Sequence, residues 1–128
     1  MPDYDSNWFA PPAPLARVTL RNPQSGATQG YVPMLLDTGA DVSLLPQTVV
    51  NSLGLTIFSD RQYELVSFDG STSFAPVVQL ELIFLERTFT GQFLTIEQEW
   101  GILGRNILNA IRLMLDGPSL TWEQSRNL

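Results

Sequence analysis

The chain of 128 residues contains no cysteine, no histidine and no lysine. Each absence removes a mechanism. Without histidine or cysteine there is no Ser-His-Asp or Cys-His nucleophilic system, and no thiolate or imidazole zinc site. Without lysine there is no Schiff base. No cysteine means no disulfide framework, so the redox compartment is unconstrained. Basic residues are also scarce: the formal net charge is −6, which argues against a nucleic-acid footprint and reads as a solubilising surface. No apolar run reaches membrane-spanning length. The N-terminus, Met1-Pro2-Asp3-Tyr4-Asp5, has no basic region followed by an apolar one, so it does not read as a secretory signal, and a cytoplasmic location is expected. What is left for acid–base chemistry is mainly carboxylates.

Apolar residues make up 44% of the chain, enough for a core, and the length suggests one domain. Residues 1–14 are polar and then Pro-rich (Pro11-Pro12-Ala13-Pro14), which predicts a flexible lead-in before a domain over 15–128. Trp8-Phe9 within it reads as aromatics packed loosely on the domain, or as a cleavage or interaction element. Short strands are predicted over 15–21, 29–36, 63–68, 72–78, 79–84 and 88–96. Pro46 suits the first position of a helix over 47–53, which Gly54 stops, and a second short helix is predicted over 105–111. Asp69-Gly70 and Asp116-Gly117-Pro118 sit between strand-like runs as hairpin signals. Many short strands with two small helices predict an all-β, barrel-like domain.

The informative segment is Pro33-Met34-Leu35-Leu36-Asp37-Thr38-Gly39-Ala40-Asp41. A carboxylate directly after buried-strand residues is costly unless it is bonded, paired or functional. Hydrolysing an amide without metal, His or Cys requires an activated water, and two carboxylates sharing one proton supply it. Close like charges split their titrations, so one is ionised while the other is neutral. Asp37 has the rigid support of a strand, Thr38 offers a hydroxyl to brace the turn, and Gly39 allows close approach of the backbone. Taken alone, the tripeptide equally describes an ordinary strand-exit turn.

Leu35-Leu36-Asp37-Thr38-Gly39-Ala40-Asp41 resembles the active-site motif of retropepsin-like aspartic proteases. Gly101-Ile102-Leu103-Gly104-Arg105-Asn106-Ile107-Leu108 resembles that family's second signature, and the Asp69-Gly70 hairpin falls where the family has its flap. The resemblance spans about residues 15 to 123. It implies an all-β, closed retropepsin-like barrel with a flap hairpin and one or two short helices, acting as a homodimer on peptide or protein substrates with no cofactor or metal. It assigns Asp37 as the catalytic carboxylate. Thr38 would bond across to its counterpart in the second subunit, and Asp41 with Arg105 would form a supporting ion pair. Gly39, Ala40, Asp41 and Ile102, with Phe68, Asp69 and Gly70 of the flap, would contact substrate. Leu103 and Gly104 would lie with Ile102 beneath the active loop.

Only one such Asp motif is present, so one chain cannot build a carboxylate dyad; mechanism then requires two copies with their Asp37 residues meeting on a two-fold axis. Activity would peak below neutral pH, where a dyad holds one proton. The inserted helix after the active loop resembles cellular and bacterial members more than viral ones, and the flap segment 66–74 lacks a glycine-rich tip. Trp122, in the second arm of the terminal hairpin, would anchor a subunit contact or cap the monomer's own core. The alternative to an endopeptidase is a non-catalytic dimerisation or peptide-binding module with the same fold; a plain β-barrel ligand carrier would leave the coincidence of Asp37, Asp41 and Arg105 unexplained.

Overall fold

The computed structural model describes the backbone of residues 2–55, 57–66, 70 and 72–125, and the side chains among these outside 57–66 and 72–76. The strands are β1 (Tyr4–Asp5), β2 (Ala13–Arg21), β3 (Thr28–Leu36), β4 (Leu44–Pro46), β5 (Ile57–Val66), β6 (Thr72–Phe84), β7 (Arg87–Ile96), β8 (Gly101–Leu103), β9 (Leu113–Asp116) and β10 (Thr121–Gln124). The helices are α1 (Gln47–Ser52) and α2 (Arg105–Leu108). The main sheet runs β1-β2-β3-β8-β4-β7-β6-β5, and a further β2–β6 pairing closes six of these strands into a mixed barrel. Closure hides the strand edges that an open sheet would leave.

Alternation explains the core. Val18 and Leu20 of β2, Val32 and Met34 of β3, and Leu80, Leu82 and Phe84 of β6 all point inward and are buried. Residues 72–78 and 79–84, expected as two strands, form one 13-residue strand because no turn residue separates them. Leu85 and Glu86 make the tight β6–β7 turn, both at positive φ. Among the described residues Arg21 and Glu81 form an ion pair across β2 and β6 at 2.9 Å. The hydrogen bond from Arg21 holds the Glu81 carboxyl below its usual range and raises the Arg21 guanidinium. No helix among the described residues is long and apolar enough to cross a membrane.

Two boundaries depart from the sequence reading. Pro46 does not open α1: it is extended, at φ −60° and ψ 124°, and pairs with Ile96 as the last residue of β4. A fixed φ near −65° suits either position, and the ladder takes it. Gly54, at φ +63°, follows the helix as expected. Helix α2 is shorter than predicted, ending in tight turns through Ile111. Its buried residues are Ile107 and Leu108.

The N-terminal segment, expected to be a loose lead-in, is tied to the domain. Tyr4 and Asp5 pair with Pro14 and Ala13. The Tyr4 N–H donates to the Leu120 carbonyl at 2.9 Å, and Phe9 stacks on Trp100 with ring centroids 4.8 Å apart. The β9–β10 hairpin forms as expected. Its Trp122 is buried against the chain's own core, with the indole N–H donating to the Leu15 carbonyl at 3.0 Å and the ring 6.0 Å from Phe84.

Candidate active site

Asp37 stands one residue beyond β3, and its position is set by β8. Met34, Leu35 and Leu36 pair in parallel with Gly101, Ile102 and Leu103. The Asp37 N–H extends that ladder, donating to the Leu103 carbonyl at 3.0 Å. The chain then turns sharply. The Ala40 N–H donates to the Asp37 carbonyl at 3.2 Å, and the Gly39 N–H donates to Asp37 Oδ1 at 2.9 Å. This Asx-type turn aims a half-buried carboxylate from an otherwise apolar support. Among the described residues no donor reaches its other oxygen, Oδ2. Thr38, Gly39 and Asp41 are exposed and Ala40 is half-buried.

The loop from Asp37 to Ser43 wraps around Gly104. β8 threads between β3 and β4, so the residue after it lies against the loop's backbone. A Cβ on Gly104 would sit 2.2 Å from the Val42 carbonyl oxygen and 2.9 Å from that of Ala40, so only glycine fits. Arg105 holds the loop at two carbonyls. Its backbone N–H donates to Ala40 at 2.8 Å, and its Nη1 donates to Thr38 at 2.7 Å.

The expected ion pair between Asp41 and Arg105 is not formed. Arg105 lies beside the active loop, but its guanidinium is captured by the Thr38 carbonyl, and among the described residues the side chain of exposed Asp41 has no ionic partner. An exposed pair of this kind would be worth about 0–1 kcal/mol, so a carbonyl already in reach competes well.

Sequence reasoning missed Ser43. It is buried, its hydroxyl accepts the Gly104 N–H at 3.0 Å, and it donates to Asn106 Oδ1 at 2.7 Å. One hydroxyl thereby fastens the active loop to the β8–α2 turn. The available signal was a single hydroxyl inside the apolar run from Val42 to Leu45.

Beside the loop, Leu44, Val77 and Leu94 form a small apolar cluster with Val42, Ile96 and Ile102 packed on it. A cavity of about 190 Å³ opens there, lined in part by Val42, Val77, Phe93 and Leu94, with Ser43 and Asn106 at its polar side. The β5–β6 hairpin brings Val66 opposite Thr72. Of the expected flap contacts, Gly70 is exposed at φ +84°, while Phe68 and Asp69 lie outside the described residues.

The retroviral aspartyl protease family model matches residues 11–116. The chain belongs to that family. Three solved structures of retroviral and retropepsin-like proteases are similar to it. The EIAV protease complexed with the inhibitor HBY-793 is 24% identical, with a TM-score of 0.56, over 77% of this chain and 86% of that one. The simian foamy virus (mac) protease is 12% identical, with a TM-score of 0.51, over 74% and 91%. A retropepsin-like aspartic protease from Rickettsia conorii is 16% identical, with a TM-score of 0.49, over 91% of each chain. The first two likenesses show the retropepsin-like fold. No curated protein matches the sequence. In this retropepsin-like barrel the Asp-Thr-Gly turn and the Gly-Arg-Asn turn, 67 residues apart from Thr38 to Arg105, interlock at one point.

Proposed function

We propose that the chain is one half of a homodimeric aspartic endopeptidase. The observation that carries this reading is the Asp37 carboxylate, oriented by the Gly39 N–H on a loop locked by Gly104, Arg105 and Ser43. Two such carboxylates, one from each copy, form the dyad. The ionised one takes a proton from water as the water oxygen attacks the scissile carbonyl carbon. The neutral one gives its proton to the carbonyl oxygen. The tetrahedral intermediate then collapses: the C–N bond breaks, the nitrogen takes a proton, and an acid and an amine leave. No covalent enzyme intermediate forms. The apolar cluster beside the loop supports a preference for apolar side chains around the cut, and exposed Thr38 is free to reach a counterpart across the two-fold axis.

Topology supports a meeting surface for the second copy. Trp122 of β10 is bonded to Leu15, and Leu15 pairs with Leu35, two residues before Asp37. The terminal hairpin is thus attached at the same end of the barrel as the active loop. Of the five large apolar residues most exposed among those described, Met114, Leu115 and Leu120 belong to this hairpin. Joining two copies along this hairpin buries its exposed apolar side chains and brings the two Asp37 loops toward each other.

The test is cleavage of a peptide library at acidic to neutral pH by the wild-type chain and by Asp37→Asn. The substitution should lower kcat/KM by about a thousand-fold or more without dissociating the dimer. Full activity in Asp37→Asn would overturn the assignment. A wild-type dimer that binds peptides and cleaves none would instead identify a non-catalytic peptide-binding module of the same fold.

A further inference from the structure

We propose that a cavity at the base of the β9–β10 hairpin binds a small oxyanion, a phosphate or carboxylate group. The cavity, about 520 Å³, is lined by Arg87, Asn109, Arg112, Gln124 and Ser125 among others. These residues come from three elements. Arg87 opens β7 after the tight turn at Leu85–Glu86, Asn109 caps the C-terminal end of α2, and Arg112 and Gln124 flank the hairpin's open end. The Ser125 N–H donates to the Arg112 carbonyl at 2.9 Å and closes that end.

The charge distribution points to a ligand. The chain has 13 acidic and seven basic residues, yet among the described lining residues two are arginines and none is a carboxylate. Two like charges facing one cavity repel, and an anion between them reverses the sign of that interaction. Among the described residues the neighbouring carboxylates do not line this cavity: Glu86 and Glu123 are exposed, and Glu123 lines a different cavity with Asp116.

Arg87 is also held in place. Its Nη1 donates to the Ala110 carbonyl, and its guanidinium lies over the Phe89 ring, 5.5 Å from the centroid. A guanidinium fixed at one N–H keeps its remaining donors in a planar fork, the geometry that suits a carboxylate or phosphate. The side-chain amides of Asn109 and Gln124 add neutral donors. The volume exceeds that of a lone oxyanion, so a larger molecule carrying such a group also fits. Nothing in this arrangement involves Asp37.

The full chain is titrated with inorganic phosphate and, separately, with citrate, at constant ionic strength balanced by sodium chloride, and binding is followed by NMR shifts. Saturable shifts at residues 87, 109, 112 and 124 are expected with at least one anion. Saturation by phosphate alone assigns a phosphate ligand, and by citrate alone a carboxylate ligand. Arg112→Gln, which removes an exposed side chain, should weaken binding about ten-fold or more. Arg17→Gln, an exposed arginine of β2 outside the cavity, and Asp37→Asn should bind as wild type does. Failure of both anions to saturate, or equal weakening by Arg17→Gln and Arg112→Gln, would overturn the proposal.

Discussion

The active loop and the terminal hairpin lie at one end of the barrel and are built in opposite ways. The loop from Asp37 to Ser43 puts polar groups inside an apolar frame and bonds them within one chain: Asp37 Oδ1 to Gly39, Ser43 Oγ to Gly104 and Asn106, and the Thr38 and Ala40 carbonyls to Arg105. The hairpin does the reverse. It buries Trp122 but leaves Met114, Leu115 and Leu120 at the surface. The geometry of the individual carboxylate is therefore a property of one chain, and the proposed completion of the site would draw on the side chains that the hairpin leaves exposed.

Four substitutions sharpen this contrast. The largest effect is expected at the hairpin. Leu115→Glu replaces an exposed apolar side chain of the hairpin with a charge, and in a two-fold dimer it enters the interface twice. Self-association, measured by analytical ultracentrifugation, should weaken by about a thousand-fold or more, with activity per chain falling on dilution and the melting temperature of the monomer little changed. Gly104→Ala should act on the other region. A methyl group 2.2 Å from the Val42 carbonyl oxygen forces the loop outward, at about 2–4 kcal/mol of stability in urea unfolding and with loss of activity at any chain concentration. Ser43→Ala strands the buried Gly104 N–H and the Asn106 acceptor, at about 1–3 kcal/mol.

The smallest effect is expected at Glu81, far from both regions in function. Its carboxyl titrates below the usual range because Arg21 hydrogen-bonds to it. Its contribution is present above the carboxylate's unfolded-state value and is lost as pH falls through the lowered folded-state value. The melting temperature of Glu81→Gln should therefore match the wild type under strongly acidic conditions and fall slightly below it near neutral pH. The acidic range expected for activity lies toward the edge of this window, so assays should separate lost stability from dyad titration.

Much of this was legible in the chain. Asp37 stands out because a carboxylate after four apolar residues is energetically unusual, and the Gly54 stop and the Asp116-Gly117-Pro118 turn were legible because their backbone chemistry is local. The features that were not legible depend on contacts far along the chain. Ser43 matters through Gly104 and Asn106, more than sixty residues away. Arg105 reads as a partner for a carboxylate, but the wrapped loop offers it the Thr38 carbonyl first. The N-terminal segment looks like a linker by composition, yet β2 and the hairpin offer it unpaired backbone, which its own backbone satisfies. Trp122, as the hairpin's aromatic, suits either a subunit contact or the chain's own core; it faces inward, and the hairpin's exposed large apolar residues are Met114, Leu115 and Leu120.

The central claim is that Asp37 is half of a site. Mixing wild-type chain with Asp37→Asn chain, under conditions where subunits exchange, tests it most directly. At a ten-fold excess of the variant, random pairing leaves few wild-type pairs, and activity should fall to about one-tenth of that of the same amount of wild-type chain alone. Activity that stays unchanged on mixing, with exchange verified, would show that each chain cleaves by itself and would contradict the account.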